Sequence, residues 1–288
     1  MKKTVPIKPF WYADVVVFPK MVTIITTVNK EGIVNAAPYS FFMQYDAMNK
    51  KPRVIVGMTK FRHTYKNIVA TGEFVVNFPP ADFLKDVMET CRFYPEGVNE
   101  LDQTRFTPIP SQKVSPPSIK ECGQIIECTL DKKYELDKTQ AHVIGNVVAI
   151  VFNEELIELG REERFRKLNL PISIGDEKRK YFYYGKIDKI EMHELKPPPK
   201  EDKAQGKIKT GIPWDEKALK ALLDVPSAIR EMVVEMSEDI VKQEGSEKMT
   251  YERYMKIVEE YAPKDVQERF EDESSDTSLP NNYIKTHI

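Results

Sequence analysis

Short runs rich in β-branched residues fill the first two thirds of the chain, and few helical segments separate them. The runs lie at 21–28, 53–58, 73–78, 124–130 and 142–152, and turn-forming residues bound each of them. A parallel sheet would need a helix between most pairs of strands, and the pattern lacks those helices. It therefore predicts an antiparallel sheet that is closed or half closed into a barrel.

The residues between and within these runs refine the prediction. Gly145 interrupts the last run, which indicates a bulge or a bend. Helices are predicted at 64–71, just before Gly72, and at 82–90. The proline-rich stretch 95–121 is too long for a simple connection, so we expect it to pack over the barrel or against a partner subunit.

The last third of the chain has a different pattern. Segment 196–211 carries a proline triplet and then charged residues, so it is predicted to link a barrel domain at 1–195 to a helical module at 212–261. Asp215 and Thr250 are predicted N-caps, and Pro226 a first-turn residue. One helix is predicted to bury a stripe formed by Ile229, Met232, Val233, Met236 and Ile240. The polar segment 262–288 is predicted to be a disordered tail.

Composition narrows the function classes. Hydrophobic residues make up 41% of the chain and charged residues 31%, as in soluble globular proteins. The net charge of -2 gives no electrostatic reason to expect nucleic acid or an anionic membrane. The basic N-terminus is followed by an interrupted apolar stretch without a small-residue cleavage site, and no run approaches the ~18–20 apolar residues of a membrane span. We therefore expect a cytoplasmic protein.

The three cysteines, Cys91, Cys122 and Cys128, give no metal-site pattern. Their number is odd, and no CxxC pair or neighbouring histidine completes the ligand spacing of a zinc or iron–sulfur site. We expect buried or partly buried free thiols and no metal.

Polar and basic residues crowd the start of the helix predicted at 64–71. They are Thr59, Lys60, Arg62, His63 and Thr64, with Asn67 one turn further on. A helix N-terminus presents unpaired N–H groups and a partial positive charge, so it suits a phosphate. A guanidinium and a hydroxyl would add hydrogen bonds to the phosphate oxygens. A threonine N-cap beside surface cations would give the same pattern without any ligand.

A second stretch, NAAPYSFFMQY at 35–45, mixes polar and aromatic residues. In a continuous strand its odd-numbered residues, Asn35 to Met43, share one face, and Ser40 and Phe42 share the other. A flat heteroaromatic ring needs apolar contact and a few hydrogen bonds at its polar edge. The main chain around Phe41 and Phe42, together with the Asn35 and Ser40 side chains, could supply them. The alternative is a core strand whose aromatic residues are simply buried.

These motifs resemble a known family, the flavin reductase-like, FMN-binding split-barrel proteins, and especially its flavoredoxin-type branch. The resemblance spans 11–195 and is carried by NAAPYSFF, by RHTYKNIVATGEFVVN and by the region from VMETCRFYPEGVNE to QIIECTL. It implies a mainly β fold, an antiparallel, Greek-key-like split barrel with FMN as cofactor. Strand 35–43 would contact the flavin ring and ribityl chain, and 59–67 would bind the phosphate. The resemblance also implies a homodimer with FMN near the subunit interface.

The chain departs from the family pattern at several positions. His63 stands where relatives commonly have Asp or Ser, and a partly protonated imidazole would add to the attraction for phosphate. His142 lies near the place of a common turn motif, so the resemblance gives it as a flavin contact, with a structural histidine as the alternative. Cys91 replaces a usual Ser or Thr. The closing strand at 180–186 offers Tyr183 and Tyr184, which could approach the flavin or pack inside the barrel.

The helical module has a resemblance of its own. It looks like a small C-terminal domain of a light-independent protochlorophyllide reductase subunit, through Trp214, Val225, Pro226, Arg230 and Thr250. This short match implies docking or contact with a partner, and it does not imply chlorophyll synthesis.

Three functions remain open from the sequence. The first is an FMN-dependent oxidoreductase that reduces flavin or a small acceptor with NAD(P)H, the flavin carrying the chemistry without a catalytic side chain. The second is an FMN electron carrier that exchanges electrons with a reduced carrier protein. The third is an interaction protein that keeps the barrel and binds no flavin.

Overall fold

A computed structural model describes residues 2–7, 11–46, 51–177, 181–187, 190–191, 193, 208–225 and 227–261. The chain divides into two compact units, Met1–Ile190 and Glu191–Ile288. The predicted tail at 262–288 and residues 196–207 of the predicted linker lie outside the described residues. The domain bounds themselves stay a prediction.

The first unit is built mainly from antiparallel strands. They are β1 (Lys20–Met21), β2 (Thr23–Val28), β3 (Val34–Tyr39), β4 (Phe42–Asp46), β5 (Arg53–Thr59), β6 (Glu73–Asn77), β7 (Pro108–Ile109), β8 (Ser118–Ile119), β9 (Gln124–Glu135), β10 (Gln140–Phe152), β11 (Pro171–Glu177) and β12 (Tyr181–Lys186). Its helices are α1 (Trp11–Asp14), α2 (His63–Thr71), α3 (Leu84–Thr90) and α4 (Arg161–Leu168). The predicted antiparallel, mainly β fold is confirmed, and α4 is an element that the sequence reading missed.

Seven strands form the main sheet in the order β3-β2-β6-β9-β10-β5-β4, and all neighbouring pairs are antiparallel. β3 and β4 are the two ends of this order, yet only Ser40 and Phe41 join them. Two linking residues span at most about 10 Å, whereas the edges of a flat seven-stranded sheet would lie roughly 29 Å apart. The sheet must therefore curl until its edges meet.

This connection corrects one expectation from the sequence. Residues 35–43 do not form one continuous strand, because the extended chain breaks at Ser40 and Phe41 and joins two different edges of the sheet. The predicted alternation of faces fails at the break. Phe42 is buried in the barrel, whereas Phe41 is half exposed.

Both faces of the central strands are buried. Ile25, Phe74 and Val76 belong to one apolar cluster with Val56 and Val143. Alternate residues of the same strands, Ile24, Val75 and Ile125, belong to a second cluster with Val87, Leu101, Phe106 and Ile119. Burial on two sides explains why the sequence shows nearly continuous apolar runs there.

Segment 95–121 packs over the barrel, one of the two arrangements expected. It contains a 3₁₀ turn (Glu100–Gln103) and the hairpin β7–β8. The Ile119 N–H donates to Asn77 Oδ1 at 2.8 Å, and Thr26 Oγ1 donates to the Pro117 carbonyl at 2.5 Å. These bonds fix the segment to β6 and β2.

The second unit contains α5 (Glu216–Leu223), α6 (Ser227–Gln243) and α7 (Tyr251–Tyr261). The predicted caps are confirmed, because Asp215 accepts from the Ala218 N–H at 2.8 Å and Thr250 from the Arg253 N–H at 3.3 Å. Pro226 and the side chain of Ile229 lie outside the described part of the chain. No helix in the described ranges is long and apolar enough to cross a membrane.

The predicted stripe of α6 is confirmed in part, because Val233 and Ile240 pack against the apolar core of this unit, but the fully buried residues are others. Val234, Ser237, Glu238 and Val241 face inward, and Met232 is exposed. The Glu238 carboxylate accepts from the Gly211 N–H at 2.8 Å and from Trp214 Nε1 at 2.9 Å. These bonds satisfy the buried carboxylate and allow that face of α6 to turn inward.

Gly145 is at a bulge between β10 and β9, as predicted. A Cβ there would lie 2.4 Å from Cζ of the fully buried Phe74. We expect Gly145→Ala to lower the free energy of unfolding by about 1–3 kcal/mol through overpacking, measured by urea denaturation. The control is Gly160→Ala at the N-cap of α4, where a Cβ meets nothing within 4 Å. Ala caps less well than Gly but reduces the entropy of the unfolded chain, so this change should cost less than about 0.5 kcal/mol. Equal losses would refute the packing explanation.

Candidate functional site

A cleft of about 850 Å³ opens where the two edges of the sheet meet. One wall comes from the end of β3 and the corner at Ser40 and Phe41, and another from the start of α2. The ends of β5 and β10, segment 90–94 and Glu100 complete it, and Trp11, Tyr12, Phe18 and Lys20 form its rim. The lining therefore combines seven Phe, Tyr and Trp residues with several basic groups and one carboxyl group.

Eight of the eleven site residues predicted from the sequence line this cleft. They are Asn35, Ser40, Phe41, Thr59, Arg62, His63, Thr64 and His142. The two stretches singled out in the sequence are thus brought together by the fold, although they lie about twenty residues apart.

The other three predicted residues do not line the cleft. Phe42 is buried in the barrel, where its ring lies edge-on to Phe78 at 5.8 Å. Met43 is half exposed on β4. Asn67 is buried, and its amide donates to Thr27 Oγ1 at 3.0 Å, so it fixes α2 to β2.

The corner at Phe41 places a ring inside the cleft. The Gly57 N–H donates to the Phe41 carbonyl at 2.9 Å, and the Phe41 ring lies over Gly57. His142 follows on the neighbouring strand, opposite Gly57, with its ring centroid 5.2 Å from that of Phe41. The absence of a side chain at Gly57 makes this arrangement possible, since a Cβ would lie 1.7 Å from Phe41 Cδ1.

The N-terminus of α2 faces the cleft with Arg62 as the N-cap residue. Arg62 has extended dihedral angles and makes no side-chain capping bond, and the N–H groups of the first helical turn have no intrahelical acceptor. The guanidinium lies 3.9 Å above the ring of Phe93. Among the described residues no carboxylate pairs with Arg62, whereas Lys60 is paired with Glu135 at 2.5 Å. Arg62 is therefore the cation best placed to meet an anion at this helix end.

A buried polar cluster lies behind this helix end. Thr64 and Asn35 are 1% and 6% exposed, and 3.0 Å separates Thr64 Oγ1 from the Asn35 amide. Burial raises the pKa of the Tyr39 hydroxyl, while nearby Thr64 and Arg62 act to lower it. The cluster joins β3 to α2.

Glu100 is a cleft residue that the sequence reading missed. Its side chain is 5% exposed, and Oε2 accepts from the Ala36 N–H at 2.8 Å. Burial raises the pKa of the Glu100 carboxyl, while its backbone hydrogen bonds and nearby His63 oppose the rise. Glu100 ends the family-like stretch VMETCRFYPEGVNE, but no periodic pattern in the long segment 95–121 marks it as a site residue.

The structure also shows where the three cysteines and the two tyrosines of the closing strand lie. Cys91 is exposed and lines the cleft, whereas Cys122 and Cys128 are buried free thiols. Tyr184 donates to Met88 Sδ at 2.9 Å, and burial raises its pKa to about 12. Neither Tyr184 nor the half-exposed Tyr183 lines the cleft.

Comparison with known proteins identifies the family. Residues 15–168, more than half of the chain, match the model of the flavin reductase-like domain. The chain belongs to the flavin reductase-like family. The family resemblance seen in the sequence is therefore confirmed, and with it the split-barrel fold.

Individual relatives agree with this family. An uncharacterized protein of Methanothermobacter thermautotrophicus is 35% identical over 142 residues, which cover 48% of this chain and 66% of that protein, just under two thirds. The structure of nitrilotriacetate monooxygenase component B from Bacillus cereus has a TM-score of 0.59 at 26% identity, covering 68% of this chain and 100% of the other. Flavoredoxin from Methanosarcina acetivorans has a TM-score of 0.55 at 20% identity, covering 68% and 97%, which shows a shared fold.

The family match ends before the helical module of this flavin reductase-like chain. Residues 212–261 lie beyond 168. The resemblance of the module to the protochlorophyllide reductase domain therefore stays a prediction, as does its role in docking.

The close approach of Phe41 to Gly57 can be tested by a double-mutant cycle. We expect Gly57→Ala to cost about 1–3 kcal/mol of unfolding free energy, because the new methyl group meets the Phe41 ring. In a Phe41→Ala background the clash is absent, so the same change should cost at least 1 kcal/mol less, roughly the scale of coupling between touching residues. Urea unfolding of the four proteins measures both costs. Equal costs in the two backgrounds would contradict this packing.

Proposed function

We propose that the protein is an FMN-dependent oxidoreductase that takes electrons from NAD(P)H and passes them to flavin or a small acceptor. The observation that carries the proposal is that the N-terminus of α2 and the aromatic corner at Phe41 meet in one cleft of a flavin reductase-like barrel, and that no carboxylate in the described part of the chain pairs with Arg62 there. The cleft volume of about 850 Å³ falls within the range typical of cofactor sites.

The residues present fit a flavin phosphate. The first-turn N–H groups of α2 and the Arg62 guanidinium offer donors and positive charge at the same point. Thr59 and His63 line the cleft beside them. We propose that these groups hold the phosphate of FMN.

The remaining lining fits the ring and its polar edge. Phe41 and His142 offer an apolar, aromatic surface. The Ser40 hydroxyl and the main chain of the corner offer hydrogen bonds next to that surface. We propose that they orient the flavin ring and keep water from one side of it.

FMN, when bound, supplies the chemistry by accepting and donating electrons or hydride. The protein then needs no acid–base pair of its own. Its contribution is to bind the phosphate, to orient the ring and to leave space over the ring for a nicotinamide or an acceptor. We further propose that the protein acts as a homodimer in the cytoplasm.

Visible spectroscopy on the purified protein tests the function. We expect a yellow protein, or one that regains flavin absorbance on addition of FMN, and anaerobic bleaching by NADH or NADPH at a catalytic rate. Bleaching only by a reduced carrier protein would replace this proposal with an electron-transfer function. A protein that stays colourless after reconstitution would refute flavin binding and favour an interaction protein.

Arg62 provides a sharper test within the cleft. We expect Arg62→Ala to weaken FMN binding by about tenfold or more, since a charge-assisted bond to phosphate is lost. Lys66→Ala is the matched control, because Lys66 is an exposed cation on the same helix and does not line the cleft. Quenching of flavin fluorescence measures both affinities. An Arg62→Ala affinity equal to that of Lys66→Ala would remove Arg62 from the site.

A further inference from the structure

The Arg62 guanidinium lies against an aromatic ring rather than a carboxylate. Its Cζ lies 3.9 Å above the centre of the Phe93 ring, and both residues line the cleft. A cation over the face of an aromatic ring is attracted by the negative charge of that face. Phe93 offers no hydrogen-bond acceptor, and no other acceptor within the described ranges takes a hydrogen bond from the guanidinium. The contact therefore holds the charge in place and leaves its N–H donors for a ligand.

The second guanidinium of the cleft, that of Arg92, already has a carboxylate partner. Arg92 Nη1 donates to Glu89 Oε1 at 2.8 Å, and the Tyr94 hydroxyl donates to the same oxygen. One carboxylate thus balances the charge of Arg92 and holds both residues that flank Phe93. Among the described residues, Arg62 is the guanidinium of this cleft that keeps its charge for an anion.

The backbone around Phe93 is fixed as well. The Arg92 N–H donates to the Glu89 carbonyl at 3.1 Å, which ties the segment to the end of α3, and the Tyr94 N–H donates to the Arg92 carbonyl at 3.2 Å. Phe93 lies in the middle of this tight turn, and it is 81% exposed. A ring so exposed buries little apolar area, so it contributes little to folding through the hydrophobic effect. Phe93 can therefore be replaced without loss of the fold.

We propose that Phe93 is a positioning residue that presents the Arg62 guanidinium to the phosphate of the bound flavin. The inference rests on the proposed function, because it concerns the phosphate of FMN. An unrestrained arginine side chain loses much rotamer entropy when it binds a ligand. The Phe93 ring restricts Arg62 before the ligand arrives, so less entropy is lost on binding. The ring also keeps water from one side of the guanidinium, which strengthens its attraction for an anion.

The ring and a phosphate use different properties of the guanidinium. Phosphate oxygens accept hydrogen bonds from its N–H groups, whereas the ring is attracted by its positive charge. Both contacts can therefore exist at once. Arg62 is also the N-cap residue of α2, so the first-turn N–H groups lie at the same helix end. Held there, the guanidinium and these N–H groups can share one phosphate.

The test measures FMN and riboflavin affinities of wild type, Phe93→Leu and Phe93→Tyr by quenching of flavin fluorescence. Leu keeps an apolar side chain but removes the aromatic face. We expect Phe93→Leu to weaken FMN binding about three- to tenfold, the scale of one cation–π contact expressed as a ratio of dissociation constants. Riboflavin lacks the phosphate, so its affinity should not change. Tyr keeps the aromatic face, so Phe93→Tyr should bind FMN as wild type does.

Phe61→Leu is the matched control. Phe61 directly precedes Arg62 and is exposed, but it does not line the cleft, so the FMN affinity of this variant should equal that of wild type. A double-mutant cycle with Arg62→Ala then shows whether Phe93 acts through the guanidinium. In the Arg62→Ala background, Phe93→Leu should cause no further loss of FMN affinity. Urea unfolding verifies that each variant is folded.

The outcomes separate this inference from the proposed function. If wild type binds no FMN, the proposed function and this inference both fail. If FMN binds but Phe93→Leu keeps the wild-type affinity, flavin binding stands and Phe93 has no part in it. Equal losses for FMN and riboflavin would show that Phe93 contacts the flavin ring itself. An undiminished loss in the Arg62→Ala background would exclude action through the guanidinium, and either result overturns the inference.

Discussion

Closure of the sheet at Ser40 and Phe41 is the constraint on which the rest of the structure depends. Two residues must carry the chain from one edge of a seven-stranded sheet to the other, so β3 and β4 have to meet. The bond from the Gly57 N–H to the Phe41 carbonyl holds the corner. The cleft lies at this meeting of edges, which is why its wall combines main-chain polar groups with an aromatic ring.

Buried polar contacts then set where α2 begins. Asn67 fixes the helix to β2, and Thr64 joins it to Asn35 on β3. Buried polar groups are costly unless they are paired, so these bonds specify one position for the helix rather than a range of positions. The helix end therefore points at the same cleft that the corner opens. The positive end of α2 and the half-exposed aromatic surface are two results of one packing arrangement.

The sequence predicts a large part of this arrangement. β-branched runs bounded by turn residues are a strong local signal, and they gave the main strands and the antiparallel fold. The position at which α2 begins could also be predicted from the sequence, because Arg62 and Thr64 stand at the beginning of a clear helical run. Most of the predicted site follows from these two local patterns.

What the sequence did not reveal depends on long-range packing. The break at Ser40 is invisible in the residue pattern, since it exists only because β3 and β4 pair with different partners. Glu100 reaches the cleft from a segment without periodicity. The stripe of α6 was only partly predicted, because the buried Glu238 finds donors on Gly211 and Trp214, far away in sequence.

The most direct test is a crystal structure of the protein with FMN. The account predicts the phosphate at the first-turn N–H groups of α2, within hydrogen-bonding distance of Arg62, and the flavin ring against the corner at Phe41. Flavin bound elsewhere, or in this cleft with its phosphate away from α2, would contradict it.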